Sequence, residues 1–120
     1  MNKKELEERL INFTVLIIEI ANDLTNSKTG NHLSGQIVRS GTSSALNYGE
    51  AQSGESRKDF IHKIKIVLKE LRETPICLKI IQRAKLLTSF EKLNAASKEN
   101  DELISIFVRR VETASKNQKS

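Results

Sequence analysis

The chain has 120 residues and a formal charge of +5, with 38% apolar and 29% charged residues, one cysteine, one proline and no tryptophan. That length supports a single hydrophobic core and one domain, residues 1–120, without metals or disulfides to hold it. The longest strictly apolar run, Val15 to Ile18, stops at Glu19 and offers neither a membrane span nor the core of a secretion signal. A soluble cytoplasmic protein is therefore expected, with the lone Cys77 as a small buried apolar residue rather than half of a disulfide.

Apolar residues recur at intervals of three and four along the chain, which predicts an all-α protein. Helix 1, about 5–24, carries Leu6, Leu10, Phe13, Ile17, Ile20 and Leu24 on one seam. The segment Thr25 to Asn31, rich in turn-forming residues and containing Gly30, separates it from helix 2. Helix 2, about 31–52, would bury Leu33, Ile37, Val38, Gly41, Ala45 and Tyr48. Gly35, Gly41 and Gly49 each cost it roughly 1 kcal/mol against alanine, so packing must hold it.

Ser53-Gly54-Glu55 breaks the pattern, and Ser56-Arg57-Lys58-Asp59 has the form of a helix cap before helix 3, about 56–87. Its buried stripe is Phe60, Ile61, Ile64, Val67, Leu68 and Leu71, then Leu78, Ile81 and Leu86 beyond Pro75. Proline lacks an N–H, so a kink is expected at Pro75, with the helix continuing because the apolar spacing survives on both sides. Thr88 to Glu91 is a second capping-box candidate, opening helix 4, about 89–115, on Phe90, Leu93, Leu103, Ile104, Phe107, Val111 and Ala114. The polar tail beyond Ser115 is expected to fray. Short turns between helices of similar length predict an antiparallel up-down four-helix bundle.

Arg39-Ser40-Gly41-Thr42-Ser43, Asn47, Glu50-Ala51, Lys58-Asp59-Phe60, Leu68-Lys69-Glu70 and Glu73-Thr74 occur in an order that resembles the bacterial four-helix-bundle family of proteins encoded in 23S rRNA intervening sequences. The resemblance covers essentially the whole chain, with helices 1 and 4 matching in pattern only. It implies a four-helix bundle that forms a ring-like homopentamer, related in shape to the accessory bundle proteins of diversity-generating retroelements, with no catalysis and with nucleic-acid association. Ser44 stands where that family usually has an apolar residue, and Ile76-Cys77 where an aromatic pair is common, which puts local packing and the subunit contact at issue.

Two surfaces are legible without the resemblance. On helix 1, Ile11, Val15 and Ile18 cluster roughly 150° from the main seam. A second apolar stripe is an expected subunit contact, the alternative being that helix 1 is central and touched by two neighbours. On helix 2 a polar line of Gln36, Ser40, Ser43, Asn47 and Glu50, with Arg39 beside it, is either a solvated face or a hydrogen-bonded subunit interface.

Basic residues are concentrated in helix 3, where Lys58, Lys65, Lys69 and Arg72 fall within about 60° of one another on a helical wheel. Lys79 and Arg83 extend that line if Pro75 does not rotate the register. Such a stripe suits a phosphate backbone bound with salt-dependent, sequence-independent affinity. The alternative is a solvated face, or one neutralised by Glu99, Asp101 and Glu102 of helix 4.

No catalytic, cofactor or metal motif stands beside these surfaces. His32 and His62 lie on different helices without ligand spacing, and no Walker-type phosphate loop follows any glycine. The expected function is that of a non-enzymatic homo-oligomer, itself its own partner, that binds RNA or DNA. The rival is an adaptor for a nucleic-acid enzyme, such as a reverse transcriptase, that makes no nucleic-acid contact of its own.

Overall fold

The computed structural model describes residues 1–53 and 56–119, so Gly54 and Glu55 of the expected break lie outside the described residues. Four helices follow one another: α1 Lys3–Asp23, α2 Lys28–Gln52, α3 Arg57–Arg83 and α4 Glu91–Lys119. Each packs against its sequence neighbours, and α4 closes the ring on α1. The result is the expected all-α up-down bundle, 50 Å long and about 22 Å across.

The seams meet in one core, which gathers Leu6, Leu10, Phe13 and Ile17 of α1 with Ile64, Val67, Leu71 and Leu78 of α3. Tyr48 and Phe107 bridge the other diagonal edge to face, their rings 5.5 Å apart. Cys77 is buried as expected. Phe90 is not: it precedes α4 and remains 37% exposed, because the helix starts at Glu91 rather than at the second capping-box candidate.

Helix ends moved by a few residues, each for a local reason. Ser27 caps α2 by accepting from the Gly30 amide, so Gly30 and Asn31 belong to the first helical turn and not to the preceding loop. A Cβ at Gly30 would lie 2.0 Å from the Thr25 carbonyl oxygen, which leaves glycine as the residue that fits. Ser56 caps α3 in the expected way, accepting from the Asp59 amide. That helix ends at Arg83, short of residue 87, in a Schellman arrangement. The Lys85 amide donates to Gln82, the Leu86 amide donates to Ile81, and Lys85 itself has φ 58°. At the far end α4 stays helical to Lys119, beyond the expected stop near residue 115.

Helix α3 runs unbroken through Pro75. The proline ring leaves the Leu71 carbonyl without a helical donor, and Asn100 of α4 supplies one through Nδ2 at 2.8 Å. Asn100 is 0% exposed, and its Oδ1 has no partner among the described residues. The amide is thus held for its donor. One residue before the proline, Thr74 Oγ1 hydrogen-bonds the Glu70 carbonyl and the Ser40 hydroxyl, so neighbouring polar groups are also satisfied from within.

An unsatisfied buried carbonyl costs about 1–3 kcal/mol. Asn100→Leu is therefore expected to lower the unfolding free energy by about that amount. In a Pro75→Ala background the loss should shrink toward zero, because an N–H at position 75 again reaches Leu71. Urea denaturation of the four chains measures the coupling; the same loss in both backgrounds contradicts the role given to Asn100.

Candidate nucleic-acid interface

The inward stripe of α3 fixes what its outer side must carry. With Ile61, Ile64, Leu71, Leu78 and Ile81 turned to the core, Lys58, Lys65, Lys69, Arg72, Lys79 and Arg83 all face solvent. At 1.5 Å per residue, Lys58 to Arg83 spans about 37 Å of helix. Among the described residues no carboxylate is ion-paired to any of the six. Ile76 and Ile80 interrupt the charge, 58% and 47% exposed. Beside them an open groove of about 710 Å³ runs over Leu68 and Val111, flanked by Lys65, Lys69 and Arg72 with Glu73 also in its lining.

Four of the acidic residues near this face are committed to other partners. Glu99 and Glu102 of α4 turn toward α1 and hold Arg9 at 2.8 and 2.6 Å. Their hydrogen bonds and charges raise the Arg9 guanidinium further above its ordinary range. Asp101 is exposed and makes no ion pair with α3. On the α2 side of α3, Glu70 and Glu73 both hold Arg39, at 3.0 and 2.8 Å. Glu70 is 6% exposed, and its charge is the main reason the Arg39 guanidinium is raised.

The structure divides the two sets of expected subunit-contact residues. Ile11, Val15 and Ile18 are 40%, 48% and 38% exposed, so α1 is not covered on that side by a second neighbour within the chain. The adjoining flank of α2 carries Val38, Thr42 and Ala45, with Gly35 and Gly49, where an added Cβ would meet nothing within 4 Å. Val38 and Ala45, expected on the buried side of helix 2, are only half-buried on this flank.

The polar line of α2 lies instead along α3. Ser40 is 2% exposed and bonded to Thr74, so it is a buried seam residue and not part of an outer interface. Arg39 is engaged by Glu70 and Glu73, Glu50 by Lys63 at 2.6 Å, and Asn47 by Ser43. Gln36 is exposed at the edge of the basic groove. Ser44, expected as a packing anomaly, is fully buried with its hydroxyl donating to the Gly41 carbonyl.

Burial pushes the Cys77 thiol up to about 11, which keeps it protonated and unreactive at neutral pH. Among the described residues no group of three His, Cys, Asp or Glu side chains could hold a metal ion, and no helix is long and apolar enough to cross a membrane.

The 23S rRNA-intervening sequence protein family matches residues 3–109. A solved structure of a protein with unknown function from the S23 ribosomal protein family of Bacteroides thetaiotaomicron VPI-5482 is similar throughout. It is 30% identical, covers 93% of this chain and 99% of its own, and superposes with a TM-score of 0.83. No curated protein matches the chain.

If Arg39 serves the α2–α3 seam, Arg39→Ala should leave the carboxylate of Glu70 buried without its counter-charge. The expected cost is about 1–2 kcal/mol, toward the low end because Arg39 is itself half exposed. Chemical denaturation checks the loss and light scattering the mass. Retained stability with a reduced mass would return Arg39 to a subunit interface.

Proposed function

The chain belongs to the family of 23S rRNA-intervening sequence proteins, and from that premise we propose that it is a non-enzymatic, homo-oligomeric scaffold that associates with structured RNA through the outer face of α3. The observation that carries the reading is the line of six exposed cations, none of them ion-paired to a carboxylate among the described residues. Each cation that meets a phosphate releases condensed counterions, so a line of this kind favours polyanions and loses affinity steeply with salt.

Recognition rests on shape and charge. Phe13 and Phe107 are buried in the core, and the α3 line itself contains no aromatic side chain on which a base could stack. Paired RNA suits such a surface, since its deep major groove hides the base edges and proteins meet it mainly through backbone and 2′-hydroxyl groups. The fit to RNA rather than DNA follows the family; the electrostatics alone serve either.

Self-association gives the weak line its strength. The exposed aliphatic ridge of Ile11, Val15 and Ile18, continued by the small-residue flank of α2, is the surface best suited to a second copy. It lies away from the α3 line, so assembly leaves the cations free. A ring of five, as the sequence resemblance implies, presents five such lines and multiplies their affinity by linkage.

Binding of an RNA hairpin and of duplex DNA, at low and moderate salt, tests the proposal. Lys65→Glu, Lys69→Glu and Arg72→Glu together should reduce affinity at least tenfold without changing the mass in solution. Val15→Glu should lower the mass and weaken binding with the α3 line intact. Unchanged affinity in the triple variant would remove α3 from the interface. No binding at low salt would favour an adaptor that meets a protein partner instead.

A further inference from the structure

A second basic feature lies at the end of the bundle where α1 and α3 begin and α2 and α4 finish. There a cleft of about 430 Å³ opens between the first turn of α3 and the last turns of α4. Arg57 and Phe60 line it from α3, and Ile106, Arg109, Arg110 and Thr113 from α4. None of these residues belongs to the α3 line.

Three arginines thus line one small space, and among the described residues none of them is ion-paired to a carboxylate. Arg57 lies 6.0 Å over the Phe60 ring. Arg110 donates through Nη2 to the Met1 carbonyl at 2.7 Å, and Arg109 is exposed. The contrast with Arg9 and Arg39, each held by two carboxylates, is direct. Like charges gathered on one rim repel one another, and a bound anion relieves that repulsion.

The rest of the lining narrows the anion. Guanidinium forks match phosphate oxygens in pairs, Thr113 brings a hydroxyl to the same rim, and Phe60 with Ile106 supplies an apolar wall. An aromatic ring with an arginine stacked on it is a platform on which nucleobases lie flat. The cleft falls toward the small end of ligand pockets, the size of one nucleotide rather than of an extended strand.

We propose that this cleft binds a nucleoside phosphate, with Arg57, Arg109 and Arg110 on the phosphate and the base against Phe60 and Ile106. The ligand is either a free nucleotide or the phosphorylated end of a nucleic-acid strand. In the second case Lys58, next in the chain to Arg57, leads the strand from the cleft onto the α3 line.

Calorimetric titration of the full chain with adenosine 5′-monophosphate, with inorganic phosphate, and with a short oligoribonucleotide bearing either a 5′-phosphate or a 5′-hydroxyl tests this. Adenosine monophosphate should bind saturably, more tightly than inorganic phosphate. Arg57→Ala with Arg109→Ala, both exposed positions, should weaken it at least tenfold, and Lys65→Glu with Lys69→Glu should leave it unchanged. A strong preference for the 5′-phosphorylated strand over both the hydroxyl form and the mononucleotide identifies a strand end; equal affinity for mononucleotide and phosphorylated strand identifies a free nucleotide. Absence of saturable binding overturns the proposal. So does binding that follows the α3 substitutions and ignores the arginines, or inorganic phosphate binding as tightly as the nucleotide.

Discussion

Pro75 deprives the Leu71 carbonyl of its helical donor in the middle of α3, and the outer face of that helix depends on how the loss is made good. Asn100 reaches across from α4 with the missing N–H, fully buried at 2.8 Å. Without a partner there, the carbonyl would have to turn toward water or remain unsatisfied, and either would bend or divide the helix. With it, α3 stays one helix from Arg57 to Arg83, and the cations before and after the proline are all exposed. The hydrogen bond that satisfies the freed carbonyl thus lies in the core beneath a helix that carries exposed cations on both sides of the proline.

Charge is sorted around the bundle by the same packing. Four carboxylates near the outer face of α3 are engaged at the helix–helix seams: Glu70 and Glu73 of α3 with Arg39 on α2, Glu99 and Glu102 of α4 with Arg9 on α1. These pairs hold neighbouring helices together at the helix–helix seams. Among the described residues the outer cations of α3 are left without an ion pair. The apolar ridge of α1 is on a different helix from the α3 line, so a contact between copies there would not compete with the proposed contact to a polyanion.

Much of this was legible in the sequence, and the failures have identifiable causes. The three–four spacing located all four helices and most of the core, because a buried stripe is a collective signal that single residues cannot hide. Small and polar positions were the ones misread. Ser40 looks like part of a hydrophilic line until Thr74 of α3 is placed opposite it. Asn100 falls in register between Leu93, Ala96, Leu103 and Phe107, and that lone polar residue in an apolar seam was a usable sign of a buried role. The arginine cleft left no such sign, since Arg57 and Arg109 are far apart in sequence and only the antiparallel pairing of α3 with α4 brings them together.

The continuity of the cation line across Pro75 can be read from the salt dependence of RNA binding. For the native chain and for a variant with Lys79→Ala and Arg83→Ala, the logarithm of the hairpin association constant would be measured against the logarithm of salt concentration. If both halves of the line meet phosphates, the slope per subunit becomes shallower by about 0.9 for each side chain removed. An unchanged slope would mean that the residues beyond the proline take no part and that the line is not one surface.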